Sequence, residues 1–280
     1  MIPVEKLTKL CQEVEGTCGI YVSIPETGEK FCLNEDFQVY AASTIKIPVL
    51  CLLFRDAEQG RVDLSQTLVV SKENRVGGSG ILQSLRPELE MSIFDLASLM
   101  MVLSDNIATN QIIDVVGMER VRDFCKDKGL YNTWIWQKMI HQGPPPADMP
   151  AGLIPNATTA ADLGVLMEQI AAETIVSPAS CRKIVQIMAG QRLGRLQTLL
   201  PTVERLNPYT PQLKMPPEGR VVVASKGGSK LADGAVHDTG IFYLPDGRCY
   251  VMAVCSKSYK KEETIHLIQQ MGLVMYEAMK

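Results

Sequence analysis

The chain has 280 residues, 46% of them hydrophobic, and a formal net charge of −3 at pH 7. This length and composition support a sizeable core, in one domain or in two interlocked ones. The slight negative charge argues against nucleic acid as the main partner, because phosphate binding needs a basic face. The longest apolar run, residues 45–54, contains Lys46 and is too short to cross a bilayer, so we expect no membrane partner.

The N-terminal segment and the cysteines favour a cytoplasmic protein. Residues 1–16 lack the apolar core of a signal peptide, and their apolar positions follow helical spacing. The eight cysteines include no C-x-x-C pair, and most lie in apolar surroundings: Cys51, Cys125, Cys249 and Cys255. We therefore expect reduced core thiols in a cytoplasmic protein, although a trimmed form of an exported protein would look the same.

A predicted β-hairpin opens the fold, with strands at residues 17–24 and 29–35 around a Pro/Gly turn. A helix that ends near Gly60 follows. The glycine-rich residues 77–80 then form either a loop at the mouth of a site or a plain connector. Later helices are predicted at residues 91–103, 106–116, 118–128, 159–173, 178–191 and 262–279.

The remaining segments are predicted to be irregular loops and β-strands. Residues 134–155 hold several Gly and Pro residues and form a predicted long loop, of a length that is often functional. A Pro-rich stretch, residues 201–217, leads to predicted strands at residues 220–225, 239–244 and 248–256. Residues 251–255 are apolar on both faces, which is typical of a central strand covered on two sides.

Together these elements predict an α+β fold in which both ends of the chain build one antiparallel sheet. The terminal helices flank the sheet, and an all-helical insert domain lies between the two ends. We expect a discontinuous sheet domain, residues 1–40 plus 215–280. Residues 41–214 form the mostly helical second domain, with its long irregular loop near 134–155.

A Ser and a Lys three residues apart stand at the head of the apolar run: Ser43-Thr44-Ile45-Lys46. On a helix they share one face, with Ser43 in the first turn, where unpaired N–H groups favour a developing oxyanion. Burial would lower the pKa of Lys46, and a neutral amine beside a hydroxyl is a base that can make a nucleophile. Alone the pattern is weak, because it recurs from Ser180 on a solvated helix face and from Ser258 in a polar turn.

Two further motifs follow in a fixed order: Ser104-Asp105-Asn106 and Lys226-Gly227-Gly228. Taken singly, the first is a helix start with Ser104 as its N-cap, and the second is a strand end with a glycine turn. The three motifs in this order and at these separations are a much more specific signal than any one of them.

The set S-x-x-K, S-D-N and K-T-G is the signature of class A β-lactamases and penicillin-binding proteins, and the chain resembles this superfamily, the class A branch most closely. Residues 156–162, which open a helix, and residues 237–240, which open a strand, extend the resemblance over nearly the whole chain. The first two motifs match in full, whereas Gly227 stands where Thr or Ser is usual. The resemblance implies the same two-part fold, with the site in the cleft between the parts.

The resemblance also implies a role for each motif residue. Ser43 is the nucleophile that forms an acyl-enzyme, and Lys46 is the candidate base for acylation. Ser104 passes a proton to a leaving nitrogen, and Asn106 holds Lys46 and the substrate amide. Lys226 attracts a substrate carboxylate and tunes Ser104.

The substrate carbonyl and carboxylate are expected to contact the third motif. The backbone N–H groups of Ser43 and Ser229, beside Gly228, would form the oxyanion hole. Gly227 lacks the hydroxyl that in the family helps to bind the carboxylate. Either Ser229 partly replaces that hydroxyl, or the natural substrate lacks the carboxylate.

The chain departs from the class A pattern in the long loop. There a Glu activates the water that removes the acyl group, but here no Glu lies between Glu119 and Glu168. Alignment puts Met139, or a neighbour, at that position, and Met cannot act as a base. His141 is the nearest titratable group and a candidate surrogate base, although an exposed loop histidine is the simpler interpretation. We interpret His237 as structural.

These observations predict a serine hydrolase that forms an acyl-enzyme at Ser43 with β-lactams or related amides and esters and releases it slowly. One alternative keeps the nucleophile but acts on an intracellular ester, amide or short peptide. Another is a non-catalytic sensor that traps an acyl group, and a glutaminase-like relative fits the second and third motifs less well. The expected partner is a small-molecule substrate. We expect no metal and no cofactor, because no ligand cluster, dinucleotide fingerprint or phosphate loop is found.

Overall fold

The computed structural model describes residues 1–209, 216 and 219–280. The strands of this part of the chain are β1 (Thr17–Ile24), β2 (Glu29–Leu33), β3 (Val39–Tyr40), β4 (Thr67–Val69), β5 (Glu90–Ser92), β6 (Trp134–Ile135), β7 (Asn156–Thr158), β8 (Val203–Glu204), β9 (Val221–Lys230), β10 (Ala235–Tyr243) and β11 (Cys249–Lys257). Its α-helices are α1 (Val4–Gln12), α2 (Lys46–Glu58), α3 (Ile93–Val102), α4 (Asn106–Val116), α5 (Met118–Asp127), α6 (Ala160–Ala171), α7 (Pro178–Met188) and α8 (Lys261–Met279). Short 3-10 turns lie at Ala42–Ile45, Leu82–Ser84 and Leu231–Asp233.

The main sheet joins the two ends of the chain. Its strand order is β2-β1-β11-β10-β9-β8. The pairs are antiparallel except for β8 with β9, which run parallel. β1 and β11 are buried almost throughout because helices cover both faces of the sheet. Near the edge, β9 packs against the 3-10 turn Ala42–Ile45, and this contact positions the site.

Two apolar cores lie on opposite faces of the sheet. One fills the space between the sheet and the helical insert and includes α2, where Ile47, Leu50 and Leu53 are fully buried. The other lies under α1 and α8, where Leu7 and Met271 pack on the sheet. Burial of this apolar surface is the main favourable term in folding. The prediction that the two terminal helices cover one face of the sheet is confirmed.

The α+β class is confirmed, and α4 has the predicted bounds, Asn106–Val116. The insert is not all helical, however, because its strands β6 and β7 form a small sheet with β3, and its strands β4 and β5 form another. Strands of two or three residues are too short to show the alternation that identifies a strand in a sequence. The proposed domain boundaries stay predictions, and the one at 214/215 lies outside the described residues, as does part of the Pro-rich stretch 201–217.

Within residues 1–209 and 219–280, no helix is both long and apolar enough to cross a bilayer.

Candidate active site

Ser43 lies in a tight turn at the head of α2. The 3-10 turn Ala42–Ile45 runs directly into the helix, and the Lys46 backbone N–H donates to the Ser43 carbonyl. Ala42 adopts a left-handed φ of 48°, a conformation that is costly for a residue other than glycine. The other residues of the turn are buried, whereas Ser43 is partly exposed. The turn therefore leaves Ser43 accessible while it fixes its neighbours in the core.

Lys46 is fully buried and has three oxygen partners. Its Nζ lies 2.7 Å from the Ser104 carbonyl oxygen, 3.0 Å from Ser104 Oγ and 3.0 Å from Asn106 Oδ1. Burial lowers the pKa of Lys46 well below its usual value, and the charge of Lys226 lowers it further. A neutral amine donates two hydrogens and keeps a lone pair. The site thus holds a basic nitrogen one helical turn from Ser43.

Ser104 lies between two lysine amines. Lys226 Nζ is 3.0 Å from Ser104 Oγ and 2.9 Å from the Gly227 carbonyl oxygen. Lys226 is also fully buried, and burial lowers its pKa to about 7 although Asp238 opposes this shift. Because the Ser104 hydroxyl is within hydrogen-bond distance of both amines, it can relay a proton between Lys46, Lys226 and a substrate.

The N-cap of α4 differs from the predicted one. Asp105, not Ser104, caps the helix, since its Oδ1 accepts the Ala108 N–H at 3.0 Å. Its Oδ2 accepts the Leu82 N–H at 2.9 Å and so ties the helix to the loop that precedes it. Ser104 instead adopts a left-handed φ of 55° and directs its hydroxyl to the lysines. Ser and Asp are equally good caps, so the sequence alone could not choose between them.

The glycine-rich loop borders the site, as one of the two sequence interpretations predicted. Asn106 Nδ2 donates to the Gly77 carbonyl at 3.1 Å, and its backbone N–H donates to the Ser79 carbonyl at 3.0 Å. Gly78 has a φ of 90°, and a Cβ added there would lie 2.7 Å from Asn106 Nδ2. The loop therefore fixes the Asn106 amide, whose oxygen in turn holds Lys46.

Strand β9 passes very close to the Ser43 turn. It does not end in a glycine turn after Lys226 but continues to Lys230, because the motif residues pair with β10. A Cβ added at Gly228 would lie 2.6 Å from the Ser43 backbone nitrogen, so this approach requires glycine. Ser229 follows in the strand and is exposed. The backbone of β9 is therefore adjacent to that of the Ser43 turn. The assignment of the Ser43 and Ser229 N–H groups to an oxyanion hole stays a prediction.

Arg195 joins the site, and the sequence analysis missed it. A Cβ added at Gly227 would lie 2.6 Å from Arg195 Nη1, so the guanidinium occupies space that a Thr or Ser side chain would need. Nη1 donates to the His237 carbonyl at 2.8 Å, and the buried Asp238 carboxylate accepts the Arg195 backbone N–H. This positive group lies close enough to lower the pKa of Lys226. Gly227, a missing side chain beside the motif lysine, was the one sequence signal for it.

A model described as the beta-lactamase enzyme family matches residues 3–279. The chain belongs to the beta-lactamase enzyme family. The recognition made from the three motifs is therefore confirmed, and so is the enzyme class, a serine hydrolase that acts on amide bonds.

Named relatives and solved structures are similar to this chain over nearly its whole length. The extended-spectrum β-lactamase PER-1 of Pseudomonas aeruginosa is 22% identical over 98% of this chain and 86% of its own. A β-lactamase structure from Sphaerobacter thermophilus is 26% identical, with a TM-score of 0.82 over 99% of this chain and 98% of that one. The structure of PBP-A is 28% identical, with a TM-score of 0.78 over 100% and 99%. A mutant of PBP-A was solved as an acyl-enzyme complex with penicillin G.

The class A resemblance places Met139, or a neighbour, at the position of the deacylating Glu, and this assignment stays a prediction. Met139 is only 5% exposed. Asn110 fixes its backbone, because Asn110 Oδ1 accepts the Met139 N–H at 2.7 Å and Asn110 Nδ2 donates to the Met139 carbonyl at 3.2 Å. His141 is exposed, and its Nε2 lies 3.0 Å from the Pro144 carbonyl of its own loop. The structure thus leaves His141 outside the hydrogen bonds of the two lysines, and its role as a surrogate base stays a prediction.

The loop that carries Met139 is anchored at its base. Trp134 Nε1 donates to the Ile154 carbonyl at 2.7 Å, and Asn156 Oδ1 accepts the N–H groups of Trp136 and Gln137. These bonds hold the two ends of the loop together.

Within residues 1–209 and 219–280, no group of three or more His, Cys, Asp or Glu side chains could hold a metal ion.

Proposed function

We propose that β-lactams acylate this protein at Ser43 and that the acyl group is then released slowly. The observation that carries the proposal is the buried Lys46 amine, which Ser104 and Asn106 hold beside the Ser43 turn. Slow release is supported by Met139, whose buried thioether is not basic enough to activate a water molecule.

The hydrogen bond between Lys46 and Ser104 provides a route for the proton transfers of acylation. Neutral Lys46 accepts the Ser43 hydroxyl proton as the oxygen attacks the lactam carbonyl. When the C–N bond breaks, the Ser104 hydroxyl gives its proton to the leaving nitrogen and takes the proton now held by Lys46, 3.0 Å away. The proton of Ser43 has then moved to the leaving group, and both lysines regain their starting state.

The charge distribution orients the substrate. β-Lactams carry a carboxylate next to the leaving nitrogen, and Lys226 together with Arg195 supplies positive charge at that end of the site. Arg195 therefore binds the carboxylate in place of the hydroxyl that Gly227 lacks. This arrangement supports a substrate with a carboxylate and weakens the alternative in which that group is absent.

Release of the acyl group requires a water molecule and a base to activate it. Met139 cannot supply the base, and Asn110 holds its backbone in place. Acyl-Ser43 should therefore accumulate when a β-lactam is added.

A second candidate substrate is an intracellular ester, amide or short peptide, which a cytoplasmic location of the protein would favour. The absence of a base at Met139 suits instead a protein that traps an acyl group as a signal. Rapid ester or peptide turnover without a lasting lactam adduct would distinguish the first of these candidates, and a lasting adduct without turnover of any substrate would distinguish the second.

We also propose that the protein is cytoplasmic. All eight cysteines are free thiols, including the fully buried Cys51, Cys125 and Cys255. Free thiols in this number suit a reducing compartment.

The test is an intact-mass time course with benzylpenicillin and a cephalosporin. We expect one adduct per chain that persists for hours in the wild-type protein and is absent in Ser43→Ala. Ser84→Ala, at an exposed serine of a 3-10 turn, is the matched control and should be labelled like the wild type. Labelling of Ser43→Ala, or no labelling of the wild type, would overturn the proposal. An adduct that clears within minutes would show that another base replaces the missing Glu.

A further inference from the structure

A cleft of about 400 Å³ opens between the glycine-rich loop and the long loop. Its charged and polar lining comes from the segment before the glycine-rich loop, from α4 and from the long loop: Glu73, Arg75, Asn110, Lys138, His141 and Gln142. Met139, which the resemblance aligns with the missing base, also lines it. We call this space the acyl cleft.

The acyl cleft adjoins the site at Asn106. Gly77 lines the cleft, and its carbonyl accepts a hydrogen bond from Asn106 Nδ2. Lys226 and Arg195 lie at the β9 wall and would bind the leaving portion of a substrate. The acyl portion, on the other side of the scissile carbonyl, therefore extends past Asn106 toward this cleft.

The cations of the acyl cleft already have partners. Lys138 Nζ pairs with the Asp114 carboxylate at 2.5 Å and donates to Asn74 Oδ1 at 2.8 Å. Arg75 Nη2 donates to three backbone carbonyls of residues outside the cleft lining, those of Leu82, Gln83 and Leu85.

The anion of the acyl cleft is held differently. Glu73 Oε2 accepts the Ser71 hydroxyl, and this hydrogen bond lowers the pKa of the exposed Glu73 carboxyl, which is ionised at neutral pH. Among the described residues no Lys, Arg or His nitrogen pairs with Glu73 within 4.0 Å. Its charge is available to a ligand.

We propose that Glu73 makes the acyl cleft selective for substrates whose acyl portion carries a protonated amine, such as an aminoacyl group. This proposal rests on the proposed function, because it concerns the same acylation of Ser43. The carboxylate binds the ammonium group while the substrate carboxylate meets Lys226 and Arg195.

The test compares three penicillins that share one nucleus and differ at the α-carbon of the acyl group. Ampicillin carries an amine there, benzylpenicillin a hydrogen and carbenicillin a carboxylate. Acylation rates are measured by intact mass at slightly acidic pH, where the amine is protonated. Because Glu73 is exposed, we expect each step in this order to slow acylation by about two- to fivefold, as solvent-exposed ion pairs do.

Variants separate the charge effect from other differences among the penicillins. Glu73→Gln should remove most of the ranking, and Glu73→Lys should reverse it. Glu90→Gln, at an exposed glutamate of β5 outside the cleft lining, is the matched control and should keep the wild-type ranking. High salt should compress the ranking in the wild type and in Glu90→Gln, because it screens exposed charges.

Equal rates for the three penicillins, or a ranking that Glu73→Gln leaves unchanged, would overturn the inference and leave the proposed function standing. Faster acylation by carbenicillin would overturn it in favour of a cleft governed by Arg75 and Lys138. Failure of all three penicillins to acylate Ser43 would overturn the proposed function and this inference together.

Discussion

Protonation of the buried His237 should control stability in acid. The ring is fully buried, with Nε2 2.8 Å from the Tyr40 carbonyl oxygen and Nδ1 accepting the Ser256 N–H at 3.1 Å. A neutral ring serves both bonds, because Nε2–H donates and Nδ1 accepts, whereas a protonated ring has no acceptor for Ser256. Its bond to Tyr40 joins the sheet to the segment before Ser43, as expected of a structural histidine.

The size of the effect follows from the pKa. Burial lowers the pKa of His237 from 6.5 to about 4. Between these values the unfolded chain binds a proton that the folded chain does not, so stability rises with pH in this window. The contribution is fully present above the unfolded pKa and is lost as the pH falls to about 4. A difference of about 2.5 pH units corresponds to about 3 kcal/mol in the free energy of unfolding.

Urea unfolding of the wild type and His237→Gln, from neutral pH to about pH 4, measures this contribution. Glutamine can donate and accept but does not titrate, so the free-energy difference between the two proteins should shift by about 3 kcal/mol in favour of the variant as the pH falls. His266→Gln, at an exposed histidine of α8, is the control and should follow the wild type. A difference between wild type and His237→Gln that stays constant across the pH range would refute the argument.

Three further substitutions address the site. Lys46→Ala should slow acylation roughly 10²- to 10⁴-fold in stopped-flow or intact-mass measurements, since a positioned base contributes about that much, and an unchanged rate would remove Lys46 from the mechanism. Met139→Glu should speed release of the acyl group while acylation changes little, because the Asn110 bonds hold the backbone at this position; a release rate equal to that of the wild type would show that the carboxylate does not reach the ester. Gly228→Ala should nearly abolish acylation and lower Tm, because its Cβ would lie 2.6 Å from the Ser43 nitrogen, and normal labelling would mean that the strand can move aside.

The sequence predicted the parts of the site that depend on local patterns. Lys46 and Lys226 each stand in a short motif, and the structure brings both amines to the Ser104 hydroxyl. The bounds of α4 were predictable because the cap, the apolar periodicity and the glycine at its end lie within one stretch.

The parts that were missed depend on contacts between distant segments. Arg195 belongs to the site because the chain folds its guanidinium against Gly227 and its backbone against Asp238. The choice of Asp105 as the N-cap depends on Leu82, whose N–H bonds to the other carboxylate oxygen. No pattern within one element contains such information, since it arises from the packing of several.

The central pairing of the sheet sets Tyr21 of β1 opposite Ala253 of β11. The ribosome delivers β1 first and β11 almost last. During synthesis the hairpin of β1 and β2 therefore has an open, apolar edge until β11 has emerged. An edge of this kind can pair with strands of other nascent chains. The order of synthesis thus leaves β1 with one unpaired edge until β11 is made.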